Sequence, residues 1–171
     1  MRRATITACL SLAVSLLGMP APGEAAKLFQ RTFDPQSGGP ACYLRIYDNR
    51  FLKQHPKLGV RIMALAYENQ AANKANNFAL RLSIELKKNS ANYSALAFCR
   101  TKSAGFSCTL ESDGGTLQLE RAGKGLRLKS HRIQIEGAIG GSDLDLSAPP
   151  GKSRSLTLKA ATTSQCNGAY D

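Results

Sequence analysis

Phe78-Ala-Leu-Arg-Leu-Ser-Ile-Glu-Leu86 alternates strictly, with Phe78, Leu80, Leu82, Ile84 and Leu86 on one side and Ala79, Arg81, Ser83 and Glu85 on the other. Successive side chains of a strand point to opposite faces. This run therefore predicts a sheet strand with one face buried and one in water. The pattern recurs in shorter units. Phe106, Cys108 and Leu110 alternate with Ser107, Thr109 and Glu111; Leu117 and Leu119 with Gln118 and Glu120; Leu126 and Leu128 with Arg127 and Lys129. Ile133 and Ile135, Leu144 and Leu146, and Leu156 and Leu158 continue it. Turn formers separate the units at Asp113-Gly-Gly115, Gly123-Lys-Gly125, residues 137–141 and Ala148-Pro-Pro-Gly151. Short strands at such spacing predict an all-β sandwich or barrel. Short connections favour an antiparallel meander of about eight strands closing as a small barrel, because closure removes unpaired edges.

Further strands are expected over 41–47, over 58–68 (where apolar residues on both faces imply cover on both sides) and over 92–100. Asp48 is a good helix cap and Pro56 disfavours helix at His55, which predicts one short helical turn over 48–55. Residues 69–77 contain Asn69, Asn73, Asn76 and Asn77 and read as a loop.

The N-terminus has a different grammar. Arg2 and Arg3 precede an apolar run to Leu17, Pro20 breaks it, and Gly23-Glu-Ala-Ala26 supplies small residues. This is the pattern of a cleaved export signal, with cleavage after Ala25 or Ala26. The apolar run is short for a bilayer span, which needs ~20 residues, and no later segment is apolar enough to be one. The expected organisation is a signal over 1–25, a flexible arm over 26–40 and a single β-domain over 41–171. Removing Arg2, Arg3 and Glu24 from 23 basic and 12 acidic residues leaves 21 and 11, a formal charge of +10.

Cys9 falls within the signal, leaving Cys42, Cys99, Cys108 and Cys166. An even number in an exported chain is best used as two disulfides, which places the protein in the periplasm or outside the cell. Four cysteines allow three connectivities. The most economical joins Cys99 to Cys108 across a hairpin with a loop over 102–105, and Cys42 to Cys166 across the chain. No Cys-x-x-Cys pair supports a zinc site.

Catalytic patterns are sparse. His55 and His131 are the only histidines, and neither lies in a nucleophile or metal-ligand motif. A hydrolase using either one needs a carboxylate or hydroxyl within hydrogen-bond reach. Asp143 and Asp145 follow Gly140-Gly141 as in one turn of a calcium-binding repeat, but a single copy cannot complete a coordination shell, so both read as solvent-facing. No metal or other cofactor is expected.

Charge is the feature above background. Arg121, Lys124, Arg127, Lys129 and Arg132 form a cluster in the sequence. Such a cluster attracts anionic lipid, lipopolysaccharide or acidic glycan, or else serves as a solvated face that keeps the protein soluble. Nucleic acid is a poor partner for an exported chain without stacking aromatics in the patch.

Cys42-Tyr-Leu-Arg-Ile-Tyr-Asp48, Phe51-Leu-Lys-Gln-His-Pro56 and the later Cys99, Cys108 and Asp113-Gly-Gly115 together resemble small exported proteins of alphaproteobacteria, over residues 41–120. The resemblance implies a bacterial source and an envelope or secreted location, and brings no activity with it. Small envelope lysozyme inhibitors share size and compartment. Their binding loops are missing here, and +10 opposes docking on a basic enzyme. The leading expectation is thus a non-enzymatic exported β-domain that binds an anionic envelope component or a protein through its basic face. A barrel holding a small apolar ligand comes second and the histidine hydrolase third.

Overall fold

The computed structural model describes residues 22–56, 58–68, 77–88, 92–137 and 142–167. Eight strands form a closed antiparallel barrel: β1 (Cys42–Ile46), β2 (Val60–Glu68), β3 (Phe78–Leu86), β4 (Asn92–Lys102), β5 (Gly105–Leu110), β6 (Thr116–Ala122), β7 (Gly125–Ser130) and β10 (Arg154–Ala161). Strands β2 to β7 follow one another as a meander. β10 then inserts between β7 and β1 to close the wall. The small units at Ile133 and Leu144 do not join the wall. They form a separate two-stranded hairpin, β8 (Gln134–Ile135) and β9 (Leu144–Asp145), across one mouth. The short helix α2 (Asn49–Gln54) is where the sequence places it, with the Asp48 carboxylate accepting from Phe51 N.

Alternation sets the interior. Leu65, Leu80, Leu82, Ile84, Leu117, Leu119, Leu126, Leu128 and Leu158 are all buried inside. Cys99 and Cys108 pair directly across β4 and β5, and their disulfide lies within this core. The hairpin is tighter than the expected loop over 102–105: Lys102 pairs with Gly105, leaving Ser103 and Ala104 as the turn. The second disulfide, Cys42–Cys166, is on the outside, where Leu44, Ile62 and Ala64 pack against it. That contact supplies the second cover expected for β2. Helix α3 (Thr163–Asn167) carries Cys166 there. By chain entropy, a bridge spanning 124 residues is worth about 5 kcal/mol and one spanning nine about 2.6 kcal/mol.

Residues 26–40 are not a flexible arm. Helix α1 (Pro22–Phe33) and a 3-10 turn (Pro35–Ser37) occupy most of the stretch. Ala25, Phe29 and Phe33 recur at helical spacing and all three are buried. Phe33 lies 5.1 Å from Phe106, 5.5 Å from Phe78 and 5.7 Å from Tyr43, ring centre to ring centre. Phe29 lies 4.8 Å from Phe78. The helix thus stops the mouth opposite the β8–β9 hairpin. It ends because Pro35 disfavours helical backbone at Asp34, whose carboxylate instead accepts from Gln36 N. The loop expected over 69–77 lies almost wholly outside the described residues, as does the apolar run of the expected signal.

Candidate functional site

The sequence cluster separates in space. Arg127 and Lys129 face outward on β7, and Glu120 stands opposite Arg127 on β6 and 3.2 Å from Lys129 Nζ. Arg132 is at the hairpin end, where its guanidinium is hydrogen-bonded to Gln134 Oε1. Arg121 has the inward parity of Leu117 and Leu119 but emerges over the helix-capped mouth, donating to Arg31 O at 3.3 Å. Lys124 occupies the β6–β7 turn at the same end.

Three residues that the sequence reading passed over join Arg121 and Lys124 there. Lys27 and Arg31 are one helical turn apart on α1, and Lys102 sits at the tip of the β4–β5 hairpin. All three line a surface pocket of about 390 Å³ with Glu24, Ala25, Leu28 and Ser103. Glu24 is the one carboxylate in that lining. Lys27, Lys102 and Arg121 are distant in sequence, so no local pattern links them. Only the i, i+4 spacing of Lys27 and Arg31, on a recognised helix, could have given two of the three residues that were missed.

Tyr43 lies beneath this end, its hydroxyl donating to Thr32 O at 2.8 Å. Burial raises its pKa to about 12, against the opposing pull of the Arg121 charge. Burial also raises the pKa of Tyr67, and the Asp34 carboxylate adds to the rise.

The histidines are in neither pocket chemistry nor pairing suited to acid–base work. His55 is exposed, stacked on Phe51 at 4.0 Å, with Nδ1 2.9 Å from Phe51 O. His131 is exposed with Nδ1 2.9 Å from Lys152 O. Neither has a carboxylate or hydroxyl partner among the described residues. Asp143 accepts from Gly137 N and Asp145 from Ser147 N. The Ser147 hydroxyl first and its backbone N–H second, ahead of the Arg132 and Arg154 charges, hold the Asp145 carboxyl below its ordinary range. Among the described residues no group of three or more His, Cys, Asp or Glu is placed to hold a metal. The interior carries Leu, Ile and the Cys99–Cys108 bridge. No helix among the described residues is long and apolar enough to cross a membrane.

No family model matches the chain, and neither a curated protein nor a solved structure does.

Proposed function

We propose that this is a non-enzymatic exported protein that binds the phosphate-bearing surface of a bacterial envelope through its helix-capped end. The observation that carries the reading is the gathering of Lys27, Arg31, Lys102, Arg121 and Lys124 around one mouth. Converging cations on one surface focus potential toward an anion, whereas the same charges spread over a wall beside Glu120 do not. Export strengthens the argument. Glu24 lies on the signal side of the expected cleavage point, so processing after Ala25 removes the pocket's carboxylate and leaves a new α-ammonium beside Lys27. The two disulfides fit an oxidising compartment, the periplasm or the exterior.

The test is sedimentation with vesicles of phosphatidylglycerol and phosphatidylcholine, with pure phosphatidylcholine vesicles and with lipopolysaccharide, each at low and high salt. The mature protein is expected to bind the anionic preparations and to release in high salt. Near an anionic surface each Lys or Arg contributes about 1 kcal/mol. A Lys102→Glu/Lys124→Glu variant should therefore lose binding by more than tenfold, while Arg132→Glu at the other end should bind like the parent. Salt-insensitive binding, or none to either anionic preparation, refutes the reading.

A further inference from the structure

The barrel is closed unevenly. Pairing between β1 and β10 runs through Cys42↔Ala161, Tyr43↔Ala160 and Leu44↔Lys159 and stops there. Below it, β1 remains paired only to β2, down to Ile46↔Ile62, and β10 only to β7, down to Arg154↔Ser130. An apolar groove of about 540 Å³ opens at this end of the wall, under the β8–β9 hairpin. Tyr47, Met63, Leu86, Ile133, Leu146 and Leu156 are among its lining residues. That volume is in the range of small-molecule sites, roughly 300–1,000 Å³.

A cation stands beside the groove. Arg45 has the inward parity of Tyr43 and Tyr47 and pairs across the sheet with the core residue Met63. Its guanidinium carbon is 4.9 Å from the centre of the Tyr47 ring, which lines the groove. The Arg45 Nε is buried and has no hydrogen-bond partner among the described residues. An unsatisfied buried donor on a charged group is costly, and an incoming anion removes that cost. Arg154 and Asp145 also line the groove. Arg154 donates to Ser147 O at 3.2 Å, and the Asp145 carboxylate accepts from Ser147 N, so Arg45 is the cation with a buried donor left to satisfy.

The geometry points to a binding site for a single-chain carboxylate amphiphile, a fatty acid, with its tail in the groove and its carboxylate on Arg45. A peptide strand fits less well. Tyr47 N donates to Arg61 O on the β2 side, so alternation leaves only the Ile46 peptide groups of β1 facing the seam. One residue of edge on β1, and alternate residues of the short stretch Arg154–Leu158 on β10, are too little to template strand addition. An alkyl tail makes no such demand, and it matches an aliphatic lining. This site goes beyond the surface binding proposed above and occupies the opposite end of the molecule.

Met63 provides a direct reporter, because Met1 and Met19 leave with the expected signal and the third methionine lines the groove. Mature protein carrying ¹³C-methyl methionine is titrated with sodium dodecanoate below its micelle concentration, and binding is measured in parallel by calorimetry. A saturable shift of the Met63 methyl with one-to-one stoichiometry is expected. Affinity should rise roughly fourfold per methylene from octanoate to dodecanoate. Arg45→Met keeps the stem and removes the charge, and should weaken dodecanoate about tenfold or more. Leu146→Trp, which fills the groove, should abolish binding, and Lys102→Glu/Lys124→Glu should leave it unchanged. An unmoved Met63 methyl, equal affinity in Arg45→Met, or equally tight binding of dodecyltrimethylammonium overturns the assignment. Since the parent protein supplies the Met63 signal, the test stands even if the tryptophan variant fails to fold.

Discussion

The two mouths of the barrel are built from the ends of the same strands and closed in opposite ways. At one, α1 inserts Phe29 and Phe33 into a ring cage with Tyr43, Phe78 and Phe106. The β1–β10 seam is paired there, and Cys42–Cys166 fastens it from outside. At the other, a two-residue strand pair lays Ile133, Ile135 and Leu144 over the opening, the seam is unpaired, and a groove remains. Charge follows the same division. What differs is grouping: Lys27, Arg31, Lys102, Arg121 and Lys124 gather at the helix-capped rim, where Glu24, Asp34 and Glu68 also lie. The hairpin end mixes Glu111, Asp113, Glu136, Asp143 and Asp145 with Arg45, Arg50, Lys53, Lys87, Lys88, Arg132, Lys152 and Arg154. One wall thus yields an end sealed by packed rings and an end that keeps an apolar groove. The difference lies in what the chain places over each mouth.

Truncating one plug residue at each end gives the largest test of that contrast. Phe33→Ala removes a ring packed on three others and buried to 1% exposure. It should cost about 3–5 kcal/mol. Ile133→Ala removes fewer atoms beside a groove into which neighbours can relax, so about 2 kcal/mol is expected. Chemical denaturation of both variants with disulfides intact measures the pair. Equal losses would mean that the hairpin plug is as tightly packed as the helix, and the contrast between ends would fail.

This asymmetry also marks where sequence reading stops. The barrel strands β3, β5, β6, β7 and β10 are visible as alternation, because a one-face-buried strand must repeat in period two, whereas β2 is visible as an apolar run covered on both sides. The Cys99–Cys108 pairing follows from register once Thr101 is set opposite Phe106. Helix α1 was hidden for a different reason. Its apolar residues Ala25, Phe29 and Phe33 straddle the expected cleavage point, so a reading that begins at Lys27 sees only Leu28, Phe29 and Phe33, too few to show a helical period. Ile133–Ile135 and Leu144–Leu146 have good strand patterns, and nothing local says that they cap the wall instead of joining it. The candidate sites are less legible still. Lys102 and Arg121 meet through barrel closure, and the groove exists because the β1–β10 pairing ends early. Both are products of topology, which no single stretch encodes.

Tyr43 connects the helix plug to pH. Its folded pKa is raised to about 12 by burial, while an unfolded tyrosine titrates near ~10. The stability this contributes is complete below the unfolded value and is lost as pH rises from about 10 toward 12, since only the unfolded state then gives up the proton. Tyr43→Phe deletes the hydrogen bond to Thr32 O and should cost about 1 kcal/mol at neutral pH. Above pH 10 the gap between variant and parent should narrow. A constant gap to pH 12 would show that Tyr43 is not the group being titrated, and that the helix plug does not exclude solvent as its rings imply.

The smallest effect separates the cationic end from the wall beside it. Glu120 and Lys129 form an ion pair at 3.2 Å with side chains 41% and 42% exposed. A pair so accessible is worth about 0.5 kcal/mol or less, so Glu120→Gln should leave the unfolding midpoint almost unchanged. Its value is in binding. The substitution frees Lys129 and removes the carboxylate that opposes Arg127, making the β6–β7 wall as cationic as the sequence cluster first implies. If contact with anionic vesicles is made by the helix-capped end, Glu120 and Arg127 lie close to the contact residues Arg121 and Lys124 but face sideways into solvent, where salt screens them. Affinity should then change by less than about threefold, the part of ~1 kcal/mol per surface charge that survives screening. A gain of tenfold or more would move the contact onto the wall, with Arg127 and Lys129 in place of Lys27 and Lys102 as the residues that meet phosphate.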